Sequence, residues 1–294
     1  MRKAIEGIVS DFDIAKFDKI SKIKENVWDI NDMYILKKVN SVEVVRKNVE
    51  LTRQLLAKDI PVAEFITTKN VEFYVSDCDG HYLLMHKIQG AHLEFYKGDS
   101  LAKARQIGEN AALLCRALKD CVFEGGSRFE YDMISYLNGE YMEEVGNVDI
   151  PSEIRGYINE FHSLYKELPR QIIHADFNPT NLIFDGAKFQ GFIDFDMASR
   201  NVRIYDLCYL LQDVFQNDPE KTESSYEIAK CIFESYNRVN PLRDSEKRAI
   251  PYMLVMIGAL ERVWTLLHDK DKGVSDFHMG RTEWMFSNRR SLVF

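Results

Sequence analysis

His174-Ala175-Asp176-Phe177-Asn178-Pro179-Thr180-Asn181, followed by Ile193-Asp194-Phe195-Asp196, is the stretch on which the reading of this chain turns. Asp176 and Asn181 are five residues apart across a tight loop, and Asp194 returns on the next hairpin at the end of an apolar strand. Taken singly, each is ordinary: an aspartate at a strand end more often forms a turn or a cap than a catalyst. Together they can bring three oxygen-bearing side chains to one point. Oxygen donors with only one or two carboxylates, and no His or Cys, suit Mg²⁺ held along with substrate phosphates rather than zinc.

The flanks give the architecture. Around the stretch lies a β island, with strands expected over residues 171–177, 181–184 and 189–195 and a turn at Asp185-Gly186. Helical spacing surrounds it. Leu101, Ala104, Ile107, Ala111, Leu114 and Leu118 form one stripe, and Ser152 caps a second helix carrying Ile154, Ile158, Phe161, Leu164 and Leu168. Amphipathic helices follow over 205–215, 226–236 and 250–267. Toward the N-terminus the pattern is ββαββ. Two β runs, 27–30 and 34–39, meet at Asn31-Asp32, and Asn40 with Glu43 caps a helix bearing Val42, Val45, Val49 and Leu56. Strands at 72–75 and 82–85 then flank a turn at 76–80. The reading is α+β, with a small antiparallel-sheet lobe (1–88) and a larger, mostly helical lobe (89–294).

Phosphoryl transfer requires an aspartate to accept the hydroxyl proton, an Asn and an Asp on the metal, and a lysine on the phosphates. The lysine candidate is Lys37, which follows the β run Tyr34-Ile35-Leu36 and precedes a helix that offers a carboxylate. Glu50 on that helix is the expected ion-pair partner, with Glu43 competing for the role.

With these residues in place, the chain resembles the aminoglycoside phosphotransferase and choline kinase-like family. These are protein-kinase-like small-molecule kinases that include spore-coat S-type and type-II homoserine kinase-like proteins. The resemblance runs from the Lys37 strand to the helix after Asp194. It implies a two-lobed protein-kinase-like fold, ATP or GTP with Mg²⁺ as cofactors, and a small hydroxyl-bearing acceptor. It implies Asp176 as catalytic base, Asn181 and Asp194 as metal ligands, and Lys37 with Glu50 at the α/β-phosphates. Leu84-Met85-His86-Lys87-Ile88-Gln89-Gly90 resembles the interlobe hinge, which makes Met85, Lys87 and Ile88 cofactor-binding, the backbone of the last two meeting adenine. Asp206 resembles the aspartate that braces the catalytic loop. Two departures stand out. Ala175 replaces the glycine usual in His-Gly-Asp, which suits a negative φ there. Ser21-Lys22-Ile23-Lys24-Glu25-Asn26, where a nucleotide-covering loop belongs, has no glycine.

Composition narrows the field. With 294 residues and 46% hydrophobic content, the chain can bury the core of one large domain or two lobes. Lys and Arg number 38 against 46 Asp and Glu, a net charge of −8 with no basic run, which disfavours nucleic acid. Five cysteines without a CxxC pair argue against a disulfide framework or a zinc site and fit a reducing cytoplasm. The apolar run 250–260 is short of the ~20 residues of a membrane span, and no apolar leader follows Met1. A monomer or homodimer is expected. Glu261, Trp264, Glu283 and Trp284 mix acids and aromatics that suit an ammonium group, so the acceptor is expected to be cationic. Two other classes remain: a catalytically silent kinase-fold binding or coat protein, and a metal-dependent phosphoesterase, which lacks the extra His and Asp ligands two-metal sites recruit.

Overall fold

The structure, a computed structural model, describes residues 2–123, 133–138, 150–218, 220, 222–268 and 271–294. The N-terminal sheet is antiparallel and six-stranded. Its strands are β1 (Ile20–Lys24), β2 (Val27–Ile30), β3 (Tyr34–Val39), β4 (Phe65–Ile66), β5 (Val75–Asp77) and β6 (Gly80–His86). They run in the order β1-β2-β3-β6-β4, with β5 also on β6. Strand alternation sorts the two faces. Trp28, Ile30, Leu36, Tyr82 and Leu84 pack against Ile5, Ile8, Val9 and Phe12 of helix α1 (Arg2–Ser10) and its end. Val39, Leu83 and partly Met85 pack against Val45 of α2 (Val42–Leu56) on the other face. Because Lys37 shares parity with Val39, it lies on the α2 face, whereas Lys38 runs across Gly80.

The segment expected to cover the nucleotide is a β-hairpin, β1–β2, whose turn residue Asn26 takes φ 61° in place of a glycine. Asn tolerates this conformation better than most residues because its short side chain bonds locally. Helix α2 starts one residue later than Asn40 suggests. Ser41 is its N-cap, accepting from the Val44 N–H at 3.5 Å.

The C-terminal part is built from α3 (Ser100–Leu118), α4 (Met133–Asn138), α5 (Ser152–Glu160), α6 (His162–Glu167), α7 (Tyr205–Gln216), α8 (Glu223–Val239), α9 (Asp244–His268) and α10 (Lys272–Asn288). Helix α3 lies on α8 at Gly108, where a Cβ would come within 2.5 Å of the Ile232 carbonyl, so only glycine permits this approach. Leu101 is exposed and falls outside the stripe assigned to it. Helix α9 is long and apolar enough to cross a membrane by composition alone. Its apolar residues, Met253, Leu254, Val255, Met256, Ile257 and Val263 among them, are instead buried in the protein core.

The expected β island is two separate ladders. β8 (Arg170–Ile173) pairs with β11 (Ser199–Val202), while β9 (Leu182–Asp185) and β10 (Lys188–Phe192) form a hairpin joined by β7 (Ala91–His92). The hairpin meets the N-terminal part at a parallel bridge from Val62 to Phe192, where the Phe192 N–H donates to the Pro61 carbonyl at 2.9 Å, and just past that part Gly90 passes close against β9. There a Cβ would meet the Phe184 carbonyl at 2.5 Å, and φ is 137°, so the chain crosses at a glycine.

Candidate active site

Strand β8 ends at Ile173, and from His174 the chain turns back over α7. Asp206, in the first turn of α7, accepts the backbone N–H groups of His174 at 2.8 Å and Ala175 at 2.9 Å. Burial pushes its pKa up, opposed by His174 and by these two backbone bonds. His174 is fully buried. Its Nδ1 accepts from the Asp176 N–H at 3.3 Å, which leaves Nε2 to donate to the Ile193 carbonyl at 3.0 Å. With both ring nitrogens committed, His174 is a strut between the two halves of the motif.

Ala175 has φ 65°, in the left-handed region, so the expectation of a negative φ is corrected. The turn that delivers Asp176 needs this conformation, which explains why glycine is usual at the position.

Beyond it, Asn178 caps the 3₁₀ turn Pro179–Asn181 by accepting from the Thr180 N–H at 3.0 Å, with Pro at its first position. This brings Asn181 back onto Asp176. The Asn181 amide nitrogen donates to the Asp176 carbonyl at 2.8 Å and to its Oδ2 at 2.9 Å, while Asn178 Nδ2 donates to Oδ1 at 2.7 Å. Asp176 is thus held by two amides, and the Asn181 oxygen is left for another partner. A backbone bond from Ile193 N–H to the Asn181 carbonyl, 3.1 Å, joins the loop to the strand that ends at Asp194.

Asp194 itself takes φ 67°, which aims its carboxylate away from the strand. Its Oδ1 lies 2.7 Å from Lys37 Nζ. Burial works against its charge, but Lys37 more than offsets this and holds the pKa below the usual carboxylate value. Burial likewise pulls Lys37 down, and Asp196 and Asp194 together hold it above the ordinary lysine value.

The structure brings together Lys37, Asp176, Asn181 and Asp194. It does not bring Glu50 to Lys37. The ion pairs of Lys37 are with Asp194 and with Asp196 Oδ2, each at 2.7 Å, and neither Glu50 nor the exposed Glu43 pairs with it. The face of α2 turned to the site carries Lys47, Asn48, Leu51, Thr52 and Leu55, so Glu50 is rotated off it. Lys47 Nζ donates to the backbone carbonyls of Asp196 (2.5 Å) and Ala198 (2.9 Å). Asn48 Nδ2 donates to Asp196 Oδ1 at 2.6 Å. Burial lowers the Lys47 pKa to about 8. Sequence reading passed over these residues because polar side chains on a helix look solvated; the signal available was the second aspartate of Ile193-Asp194-Phe195-Asp196.

At the expected hinge, the Lys87 N–H donates to the Met33 carbonyl of the β2–β3 turn at 2.8 Å, so that N–H is not the group through which Lys87 would meet adenine. The Lys87 ammonium reaches Asp29 at 2.7 Å and also Asp32, stapling the β2–β3 turn. Met85 pairs with Ile35 and Phe65, and Ile88 is half-buried, its Cδ1 2.7 Å from where a Cβ on Gly191 would stand.

Behind Asp176, α7 and α10 contribute Asp213 and Arg281, both buried. Burial raises the Asp213 pKa to about 7, with Arg281 opposing and Asp176 adding to the rise. Arg281 pairs with Glu261 of α9 and contacts His278 Nδ1 at 3.1 Å. Asp213 Oδ2 and Arg281 Nη1 have no hydrogen-bond partner among the described residues. Of the four residues expected to hold an ammonium, Glu261 alone joins this cluster. Trp264 and Glu283 are exposed, and Trp284 packs on Phe215 with ring centroids 5.3 Å apart.

A cation would find oxygen donors here: the Asp194 carboxylate and the Asn181 amide oxygen, with His174 unavailable. Among the described residues no cluster of three His, Cys, Asp or Glu could hold a metal by protein groups alone. Such a sparse oxygen set fits a hard cation whose remaining ligands come from phosphates and water.

This combination of lobes, lysine and aspartates defines a phosphotransferase class, and the sequence agrees. It matches the model of the phosphotransferase enzyme family over residues 22–242, three-quarters of its length. The chain belongs to that family. Homoserine kinase from Rhodospirillum rubrum is 26% identical over 223 residues, covering 74% of this chain and 67% of that protein. Homoserine kinase from Gluconobacter oxydans is 37% identical over 103 residues, 35% of this chain, and the match spans 32% of that relative's length. Among solved structures, the GDP complex of aminoglycoside 2′-phosphotransferase-IIIa superposes with a TM-score of 0.69 at 15% identity, covering 97% of this chain and 98% of that one. At that identity the likeness is one of fold, and it gives the two-lobed kinase-like architecture.

Proposed function

We propose that this protein transfers the γ-phosphoryl group of ATP or GTP to a hydroxyl of a small molecule. The observation that carries the reading is the meeting of Lys37, Asp176, Asn181 and Asp194 at one place from two parts of the chain. Lys37 offers a permanent positive charge for the nucleotide phosphates. Asp176, fixed by Asn178 and Asn181, accepts the proton of the acceptor hydroxyl as the new phosphate bond forms. Asp194 and the Asn181 oxygen would hold Mg²⁺, which when bound neutralises charge on the transferring phosphates. The phosphoesterase alternative loses support from the absence of a multi-ligand metal cluster among the described residues. A catalytically silent protein would have no need to keep all four groups aligned.

For the acceptor, the cluster behind Asp176 favours a molecule carrying charge of both signs. Arg281 suits a carboxylate, and Asp213, whose carboxyl pKa burial raises to about 7, suits an ammonium that would draw off its proton. A hydroxy amino acid answers this better than the purely cationic amine expected from the sequence, and it agrees with the homoserine kinase names of the relatives. We place the division between nucleotide-binding and acceptor-binding parts near residue 88, and the protein, whose five cysteines are all free, in a reducing cytoplasm. The test is ADP or GDP release across hydroxy amino acids, amino alcohols, aminoglycosides and sugars. Turnover confined to acceptors with both charges supports the reading. Release with none of them, alongside intact nucleotide binding, would favour the silent protein.

A further inference from the structure

In the sequence reading, the phosphate-binding lysine takes its counterion from the helix that follows it. In this protein α2 presents Lys47 and Asn48 to the site instead, and the carboxylate that meets Lys37 besides Asp194 belongs to Asp196. That carboxylate is built in at both oxygens: Oδ2 is 2.7 Å from Lys37 Nζ, and Oδ1 accepts from Asn48 Nδ2 at 2.6 Å. Its backbone is pinned as well, since Lys47 Nζ, on a residue only 2% exposed, donates to the carbonyls of Asp196 and Ala198. The turn Phe195–Met197 and the Ala198 that ends it are therefore clamped to α2 by three hydrogen bonds while Lys37 reaches the turn from the sheet.

We propose that Asp196 is the positioning residue for Lys37, taking over from α2 the task of orienting the phosphate-binding lysine. This rests on the phosphotransferase reading above. The chemical reason is that Asp194 cannot serve both purposes. If its carboxylate is to hold a cation, Lys37 needs a second, lasting counterion to keep its ammonium directed into the cleft. An ammonium has three donors and can meet both aspartates and still present one N–H to a phosphate. Asp196 supplies that counterion without entering the metal shell. The clamp from Lys47 and Asn48 keeps it from following Asp194, and it couples the α2 position to the lysine.

The test is calorimetric titration of the full-length protein with ATP, and separately GTP, in EDTA, so that no metal contributes. The same titrations are then repeated with Mg²⁺. Losing an oriented charge-assisted contact corresponds to roughly a 10- to 100-fold loss of affinity. Asp196→Asn and Lys37→Ala should each lose about this much in EDTA, Glu50→Gln should match the wild type, and Asp196→Glu should retain most of the affinity. The double variant Lys37→Ala/Asp196→Asn should be no weaker than Lys37→Ala, because the aspartate acts through the lysine. The inference is overturned if Asp196→Asn binds metal-free nucleotide normally, if its loss appears only with Mg²⁺, if it adds to that of Lys37→Ala, or if the Glu and Asn variants are equally impaired. Wild-type protein that binds neither nucleotide would bring down the phosphotransferase reading and this inference with it; an altered variant profile in a binding wild type bears on Asp196 alone.

Discussion

Replacing Ala175 by glycine should stabilise the protein, against the usual effect of glycine in a folded chain. Ala175 sits at φ 65°, between the buried strut His174 and the proposed base Asp176. A non-glycine residue pays roughly 1–2 kcal/mol in the left-handed region, from contact between Cβ and its own carbonyl. Glycine removes that cost but frees the unfolded chain, which returns about 0.4–1 kcal/mol to the unfolded side. The net is about 0.5–1 kcal/mol in favour of the variant, or roughly a 1–3 °C rise in Tm for a chain of this size. The assay is equilibrium urea unfolding of Ala175→Gly beside a control, Ala102→Gly in α3, where the helix imposes ordinary φ and glycine should destabilise by about 1 kcal/mol. The bonds that place Asp176, from Asp206 to the backbone and from Asn178 and Asn181 to its carboxylate, do not involve the Ala175 side chain. Activity should therefore be kept. If Ala175→Gly moves the urea midpoint down in step with the control, the backbone strain assigned to this turn is not there.

Asp176→Asn should lower kcat by about 10²–10⁴-fold with nucleotide affinity nearly unchanged, because it removes the proton acceptor and leaves Lys37 and Asp194 in place; near-normal turnover would assign the base elsewhere. Asp213 holds its proton up to about pH 7 when folded and releases it near 3.8 when unfolded. The folded state thus binds the extra proton, and stability should fall as pH rises through that window, by up to about 4 kcal/mol. Asp213→Asn should flatten this slope in urea titrations at pH 5 and pH 8; an unchanged slope would show that the carboxyl is ionised in the fold. Tyr165→Phe deletes a buried hydroxyl that donates to Asn201 at 3.0 Å and accepts from the Met133 N–H at 3.3 Å, and should cost about 1–3 kcal/mol in the same assay. Full stability would mean that water replaces both bonds.

The sequence by itself determined the elements whose signals are local. Strands β2 and β3 lie within the runs that alternation marked, α3 runs where its stripe of Ala104, Ile107 and Leu114 put it, and the loop joining Asp176 to Asn181 is legible because Asn178-Pro179 is turn chemistry. Lys37 was legible because strand parity places it with Val39 on the α2 face rather than with Leu36. Helix α1 was passed over because its core residues Ile5, Ile8 and Val9 acquire meaning only once a sheet lies beneath them. The β island looked like one sheet because its strands are consecutive, whereas pairing of β8 with β11 brackets the whole site and is not written in any local pattern. The partner of Lys37 belongs to the same kind of decision. The ion pair with Asp194 spans 157 positions, and the choice of Asp196 over Glu50 depends on how α2 is rotated against the turn after Asp194. Periodicity gave that helix its apolar stripe, but Lys47, Asn48 and Thr52 are buried because a second part of the chain supplies their hydrogen-bond partners or covers them. A polar residue is buried only where tertiary structure brings it a partner, and that information lies in the packing of distant segments rather than in the order of neighbouring residues.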